Sequence, residues 1–190
     1  RGLGDVYKRQ KQLSENKDSN ITQYISEIVD DFNIMNPIDY CNNPTVNLIT
    51  HRYYEICKKN NINFTISIKN ANIDFIKEHD ITALLDNLLE NAVESALMTN
   101  EKFIDFSIST RNSNFVIIKI SNSCNKKPKY IDGTLVSSKS TSGMHGIGTR
   151  SIKRVVEKYN GNLEMKFDND TKTFTSVIGI NSNLPSNNQS

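Results

Sequence analysis

No apolar run in this sequence approaches the roughly 20 residues that cross a bilayer, and its start lacks the apolar stretch of a secretion signal. The chain as given is therefore expected to be soluble. Cysteine is scarce: Cys41, Cys57 and Cys124 are far apart, odd in number and without metal-ligand spacing. That pattern reads as reduced cytosolic thiols more readily than as a disulfide framework, and a zinc site is not expected. Charge of one sign is also lacking. The 23 Lys and Arg residues are scattered among 21 Asp and Glu, for a formal net charge of +2. With no basic stripe to neutralise a phosphate backbone, no nucleic acid partner is expected. Internal repeats are absent. What is present, 36% hydrophobic and 23% charged residues, suits one globular core. Asn, Lys, Ile and Ser are abundant, yet the apolar positions keep regular periods, which disordered tracts do not.

Those periods give an order of elements. The first ten residues, RGLGDVYKRQ, differ in style from the rest and read as a non-native remnant. Ile21, Tyr24, Ile25, Ile28, Val29 and Phe32 form a helical stripe that breaks before Pro37. Asn43 and Pro44 mark a cap and first turn, and Val46, Ile49, Tyr53 and Ile56 continue a second helix to about Asn60 and Asn61. Ile62, Phe64, Ile66 and Ile68 alternate as a strand with one buried face. Asp80 is the expected cap of a long helix whose wide apolar face runs from Ile81 to Ala96. A hairpin follows, Phe103 to Ser109 and Phe115 to Ser121. Between Ser121 and Met144 the periodicity fades, and a loop of that length is a lid candidate. A helix opens at Gly146 to Gly148 and stops at Asn160 and Gly161, and a last hairpin turns at Asp168 to Asp170. The architecture expected is α+β, a two-layer sandwich with a mixed, largely antiparallel sheet and an N-terminal helical extension.

Three features could do chemistry. In LLDNLLENAVESAL, Asn87 and Asn91 lie four residues apart, so their amides share one side of a helix whose Leu face is buried. Asn is mildly unfavourable inside a helix, so the pair calls for an explanation, the alternative being two solvated surface amides. GMHGIG, Gly143 to Gly148, runs straight into a helix. Glycines there let the backbone approach a ligand, and the free N–H groups of the first turn suit phosphate oxygens. A flexible connecting loop is the alternative. Finally Asn122 ends an apolar strand, where an amide can read a purine edge or can serve as an ordinary turn residue.

Taken in order, NLLENAVESA (Asn87 to Ala96), ISNSC (Ile120 to Cys124) and HGIGTRSIKRVVEKYNGNLEM (His145 to Met165) resemble the GHKL ATPase superfamily of gyrase, MutL and histidine kinases. Within it the sequence is most similar to the AgrC, VirS and NatK group, and NNPTVNLI (Asn42 to Ile49) is similar to that group's lead-in helix. The resemblance implies the Bergerat-type fold and a histidine kinase that transfers the γ-phosphoryl of ATP to a histidine on a separate helix, with a response regulator downstream. It implies Asn91 as the Mg²⁺ ligand, with Asn87 beside it on phosphate or a metal-bound water. Gly146 and Gly148, with His145 and Ile147 between and before them, would line the phosphates; Asn122 would stand where many members carry an adenine-reading Asp; Lys139 would contact phosphate.

The sequence departs from the broader pattern in two places: the usual D-x-G-x-G stretch is reduced to Asn122, Ser123 and Cys124, and Met144 replaces the first glycine of the later box. The resemblance divides the chain into residues 1–10, a helical linker over 11–42, an ATP-binding catalytic domain over 43–181 and a polar tail over 182–190. It also implies a parent protein that is a membrane-anchored homodimer with this domain in the cytoplasm, the domain alone binding Mg-ATP without autophosphorylating. None of His51, His79 and His145 is expected to be the phosphoacceptor. A water-activating Glu, which hydrolysing relatives resemble one another in carrying, is replaced here by Asn87. The competing class is a GHKL module that binds a nucleotide or a partner without catalysis.

Overall fold

The computed structural model describes residues 40–69, 71–112, 114–125, 129–131, 134–136 and 147–183, all within the compact unit Ile38–Ser190. The helical stripe between Ile21 and Phe32, Lys139, His145 and Gly146 lie outside the described residues.

Helix α1 (Pro44–Lys59) begins as its sequence requires. The Asn43 side chain accepts from the Val46 N–H at 3.0 Å, and Pro44 stands in the first turn, where its missing N–H costs nothing. Its end places Asn61 at φ 54°, with Ile62 N–H donating to the Cys57 carbonyl and Asn61 N–H to that of Lys58. This is a Schellman closure with asparagine in the left-handed position usually given to glycine. Strand β1 (Asn63–Lys69) follows, then helix α2 (Glu78–Leu97), strands β2 (Phe103–Arg111) and β3 (Phe115–Ser123), and a short pair, β4 (Lys129–Ile131) and β5 (Thr134–Val136). Helix α3 (Ile147–Lys158) closes as α1 does. Asn160 sits at φ 51°, Gly161 N–H reaches the Val156 carbonyl and Asn160 N–H that of Glu157. Strands β6 (Asn162–Asp168) and β7 (Thr173–Asn181) complete the fold, and the Asp168 carboxylate accepts the N–H groups of Asp170 and Thr171 to shape their turn.

The main sheet runs β1-β2-β3-β7-β6, parallel at β1-β2 and antiparallel elsewhere. One face is apolar: Ile104, Phe106 and Ile108 of β2, Val116, Ile118 and Ile120 of β3, and Ile178 and Ile180 of β7 are all buried. Against it packs the predicted face of α2, with Leu84, Leu85, Leu88, Leu89, Ala92 and Ala96, joined by Ile152, Val155 and Val156 of α3 and by Val46, Ile49 and Tyr53 of α1. The other sheet face carries Thr65, Asp105, Lys119, Glu164 and Lys166, which are exposed. The result is the expected two-layer α+β sandwich. Among the described residues, no helix is long and apolar enough to cross a membrane.

Two local expectations are corrected. Asp80 does not cap α2. The helix starts at Glu78, and Asp80 sits inside its first turn, buried, accepting from Lys158 Nζ at 2.6 Å and Tyr159 Oη at 2.7 Å. A partner pair at the far end of α3 outcompetes the local N–H groups for that carboxylate. Strand β1 does not bury a full face: Phe64, Ile66 and Ile68 are only half-buried, because β1 is the sheet's edge.

Candidate functional site

Helix α2 crosses the centre of the sheet because its Leu face needs both β2 and β3 for cover. This turns Asn87 and Asn91 toward the flank on which α3 begins. Asn91 is exposed and Asn87 half-buried, so the two amides differ in setting although they share a side of the helix. Asn87 Nδ2 donates to the Ala83 carbonyl one turn back, at 2.5 Å. Its Oδ1 lies where a side chain at Gly148 would begin: a Cβ built there falls 2.7 Å from it. The start of α3 therefore approaches Asn87 as closely as glycine permits.

Behind this contact lies a cavity of about 30 Å³. Leu88, Asn91 and Ala92 of α2, Ile120 and Asn122 of β3, Thr149 of α3, Met165 of β6, and Phe174 and Ser176 of β7 line it. Asn122 is not at a loose strand end; it stands within β3 and is 2% exposed. Its Nδ2 donates to the Ser123 carbonyl at 2.9 Å. Beside it, Ser176 is buried, brought inward by the β3–β7 register that pairs Asn122 with Phe174 and Ile120 with Ser176. The structure thus brings together Asn87, Asn91, Asn122 and Gly148. The backbone of Ile147 opens α3 beside them. Thr149 and Ser176 are two polar lining groups that reading the sequence missed. Strand alternation could have placed Ser176 on the inner face, but the register that sets it beside Asn122 is a long-range property.

Among the described residues, the cavity's polar lining is neutral: two carboxamides and two hydroxyls, with no carboxylate. An apolar cavity that admits a single aromatic ring measures on the order of 150 Å³, so a purine enters only if side chains withdraw. Met165 and Phe174 are the half-buried side chains of that lining. Among the described residues, no group of three or more His, Cys, Asp or Glu could hold a metal. A cation here would be held through Asn91 and a ligand's own oxygens, which suits Mg²⁺, an ion that keeps several waters and binds largely through phosphates.

His51 and His79 sit elsewhere. His51 is in α1, stacked on Tyr54, with both ring nitrogens buried and, among the described residues, without a hydrogen-bond partner. His79 lies in the first turn of α2, Nε2 3.3 Å from Asp80.

Residues 76–180 match the sequence pattern of the GHKL domain, more than half of the 190-residue chain. The chain belongs to the GHKL domain family. A probable C4-dicarboxylate sensor kinase of Bacillus subtilis (strain 168) is 29% identical over 112 residues, which cover 55% of this chain and 20% of that relative. The GHKL chain thus spans about a fifth of the length of that relative. Among solved structures, the catalytic domain of histidine kinase ThkA in a nucleotide-free form superposes with a TM-score of 0.57 at 17% identity, over 74% of this chain and 92% of that one. A mycobacterial sensor histidine kinase, MprB, gives a TM-score of 0.53 at 14% identity, over 72% and 95%. At these identities the likeness is one of fold. The match places the whole cavity, from Leu88 to Ser176, inside the GHKL segment.

Proposed function

We propose that this chain is the ATP-binding catalytic domain of a two-component sensor histidine kinase of the AgrC, VirS and NatK type, passing the γ-phosphoryl of ATP to a histidine on a separate helix. The observation that carries the reading is convergence. Amides from α2 and β3 and the first turn of α3, three elements distant in sequence, face one cavity, and the N–H groups of a helix start suit phosphate oxygens. In this reading Asn122 holds the adenine edge, Asn91 ligates Mg²⁺ with Asn87 at its side, and Gly146, Ile147 and Gly148 line the phosphates, with His145 and Lys139 beside them. Bound magnesium would neutralise charge on the β- and γ-phosphates. The chain's own part is to orient the triphosphate and exclude water around it. A carboxamide at Asn87 cannot take a proton from water, which favours transfer over hydrolysis.

The partners follow from the reading: a phosphoacceptor helix of the same or a paired chain and a response regulator downstream. The intact protein is then a homodimer anchored in the membrane, with this domain in the cytoplasm and a quorum-sensing role. The buried nitrogens of His51 and the placement of His79 beside Asp80 support an acceptor outside the described residues.

Titration calorimetry with Mg-ATP tests the proposal. The wild-type chain should bind, and Asn91→Ala should abolish binding while leaving the thermal midpoint within a few degrees, since Asn91 is exposed. Equal affinities for the two would refute the assignment and favour a module without nucleotide chemistry.

A further inference from the structure

The setting of Asn122 contains a second layer. Its Nδ2 donates to the Ser123 carbonyl at 2.9 Å, and the orientation is unambiguous, because a carbonyl oxygen only accepts and the amide atom beside it must be the nitrogen. The same carbonyl accepts the Ser95 hydroxyl at 3.2 Å. Ser95 is one helical turn beyond Asn91 on α2. The Ser123 side chain is pinned as well: its Oγ accepts the Phe103 N–H at 3.2 Å and meets Thr99 Oγ1 at 2.9 Å. Thr99 Oγ1 lies 2.7 Å from the Ala96 carbonyl, which takes its proton, so Ser123 must donate to Thr99. Both lone-pair directions of the Ser123 carbonyl are thus filled, and its hydroxyl is fixed from two sides.

We propose that Ser95 is a positioning residue that sets base selectivity: through the Ser123 carbonyl it locks the Asn122 carboxamide with Oδ1, an acceptor, as the pole left for the cavity. This rests on the nucleotide reading above. An unrestrained carboxamide can turn over and offer either a donor or an acceptor, so it discriminates poorly between a 6-amino and a 6-oxo purine. The lock removes that freedom. Oδ1 accepts from the exocyclic amine of adenine and repels the O6 oxygen of guanine or hypoxanthine. A carboxylate would need no such device; a carboxamide does. Selectivity here depends on a residue of α2 that reaches the base only through the end of β3.

The test is calorimetry on the 190-residue chain with Mg-ATP, Mg-GTP and Mg-ITP, for wild type, Ser95→Ala and Ser95→Thr. Wild type should prefer ATP to ITP and GTP by about tenfold or more, the scale of one hydrogen bond made against one repulsion avoided. Ser95→Ala should narrow that ratio by about threefold or more, chiefly by weakening ATP. Ser95→Thr, which keeps the hydroxyl, should restore it. A merely structural serine would lower all three affinities together and leave the ratio unchanged, and that result overturns the inference. So does a wild-type chain that binds ATP and ITP equally, whether or not the alanine variant folds. Absence of binding to any of the three instead overturns the nucleotide reading on which the inference stands.

Discussion

Gly148 and Asn87 meet closely where α3 begins beside α2, and that approach sets what a change at either position would do. A methyl group at position 148 would begin 2.7 Å from Asn87 Oδ1, well inside van der Waals contact, yet helix propensity alone would favour alanine there by about 1 kcal/mol. The two effects oppose each other, and the outcome depends on the Asn87 side chain. It is held by its bond to the Ala83 carbonyl, so it must break that bond or push α3 away. Gly148→Ala is therefore expected to weaken Mg-ATP binding by about tenfold or more while changing global stability by under about 1 kcal/mol. Combining it with Asn87→Ala should remove the clash and recover the stability that propensity offers, without recovering affinity. A double-mutant cycle read by calorimetry and thermal unfolding separates the terms. If Gly148→Ala binds Mg-ATP as wild type does, the phosphates do not lie at the start of α3.

Helices α2 and α3 form the two walls, and at the end away from the cavity a polar brace joins them. Buried Asp80 receives Lys158 and Tyr159, and the Tyr159 oxygen accepts the Lys77 N–H at 2.9 Å. Burial alone would raise the Asp80 carboxyl, but hydrogen bonds from Lys158 and Tyr159 and the Lys158 charge outweigh it and hold it below its ordinary value. Burial, and after it the bond to Asp80 and its charge, against the opposing Lys77 N–H, pushes Tyr159 up to about 12. A raised group stabilises fully below its unfolded value near 10 and ceases to do so as pH climbs through about 12, because the unfolded chain then holds fewer protons. The wild-type chain should therefore lose stability between about pH 10 and 12 more steeply than Tyr159→Phe, as read by denaturant midpoints across that range. Parallel slopes would mean the brace does not hold the walls. Elements of this kind were legible to different degrees. The 3.6-residue stripe of α2 and the two-residue alternation of β2 and β3 are local, and both stand where their periods put them. The role of Asp80 was not legible, because a cap and a tertiary partner compete for one carboxylate and the partner lies 79 residues away. Asn87, Asn91 and Gly148 could be found from spacing and glycines, whereas Thr149 and Ser176 enter the cavity through packing and register alone.

At the scale of the molecule, the cavity is where the layers meet: α2 and α3 supply one side and β3, β6 and β7 the other. At about 30 Å³ it is too small for a base, so occupancy must displace lining side chains, the half-buried Met165 and Phe174 among them, and replace their contacts with a ligand that touches both layers. Such a ligand binds the native chain and has no site on the unfolded one, so it must raise stability by mass action. At a hundredfold excess over the dissociation constant the gain is about 2.7 kcal/mol, and a chain of this length moves by roughly 2–4 °C for each kcal/mol. Saturating Mg-ATP should then lift the thermal midpoint by about 5–10 °C. Asn91→Ala should show almost none of this rise, and chelating the magnesium should remove most of it from the wild type, because the triphosphate would meet the start of α3 with its own charge uncompensated. A rise that survives both changes would place the ligand's grip on the base alone; no rise at all would mean that the layers do not close on a nucleotide, and the cavity is a packing defect between helix and sheet.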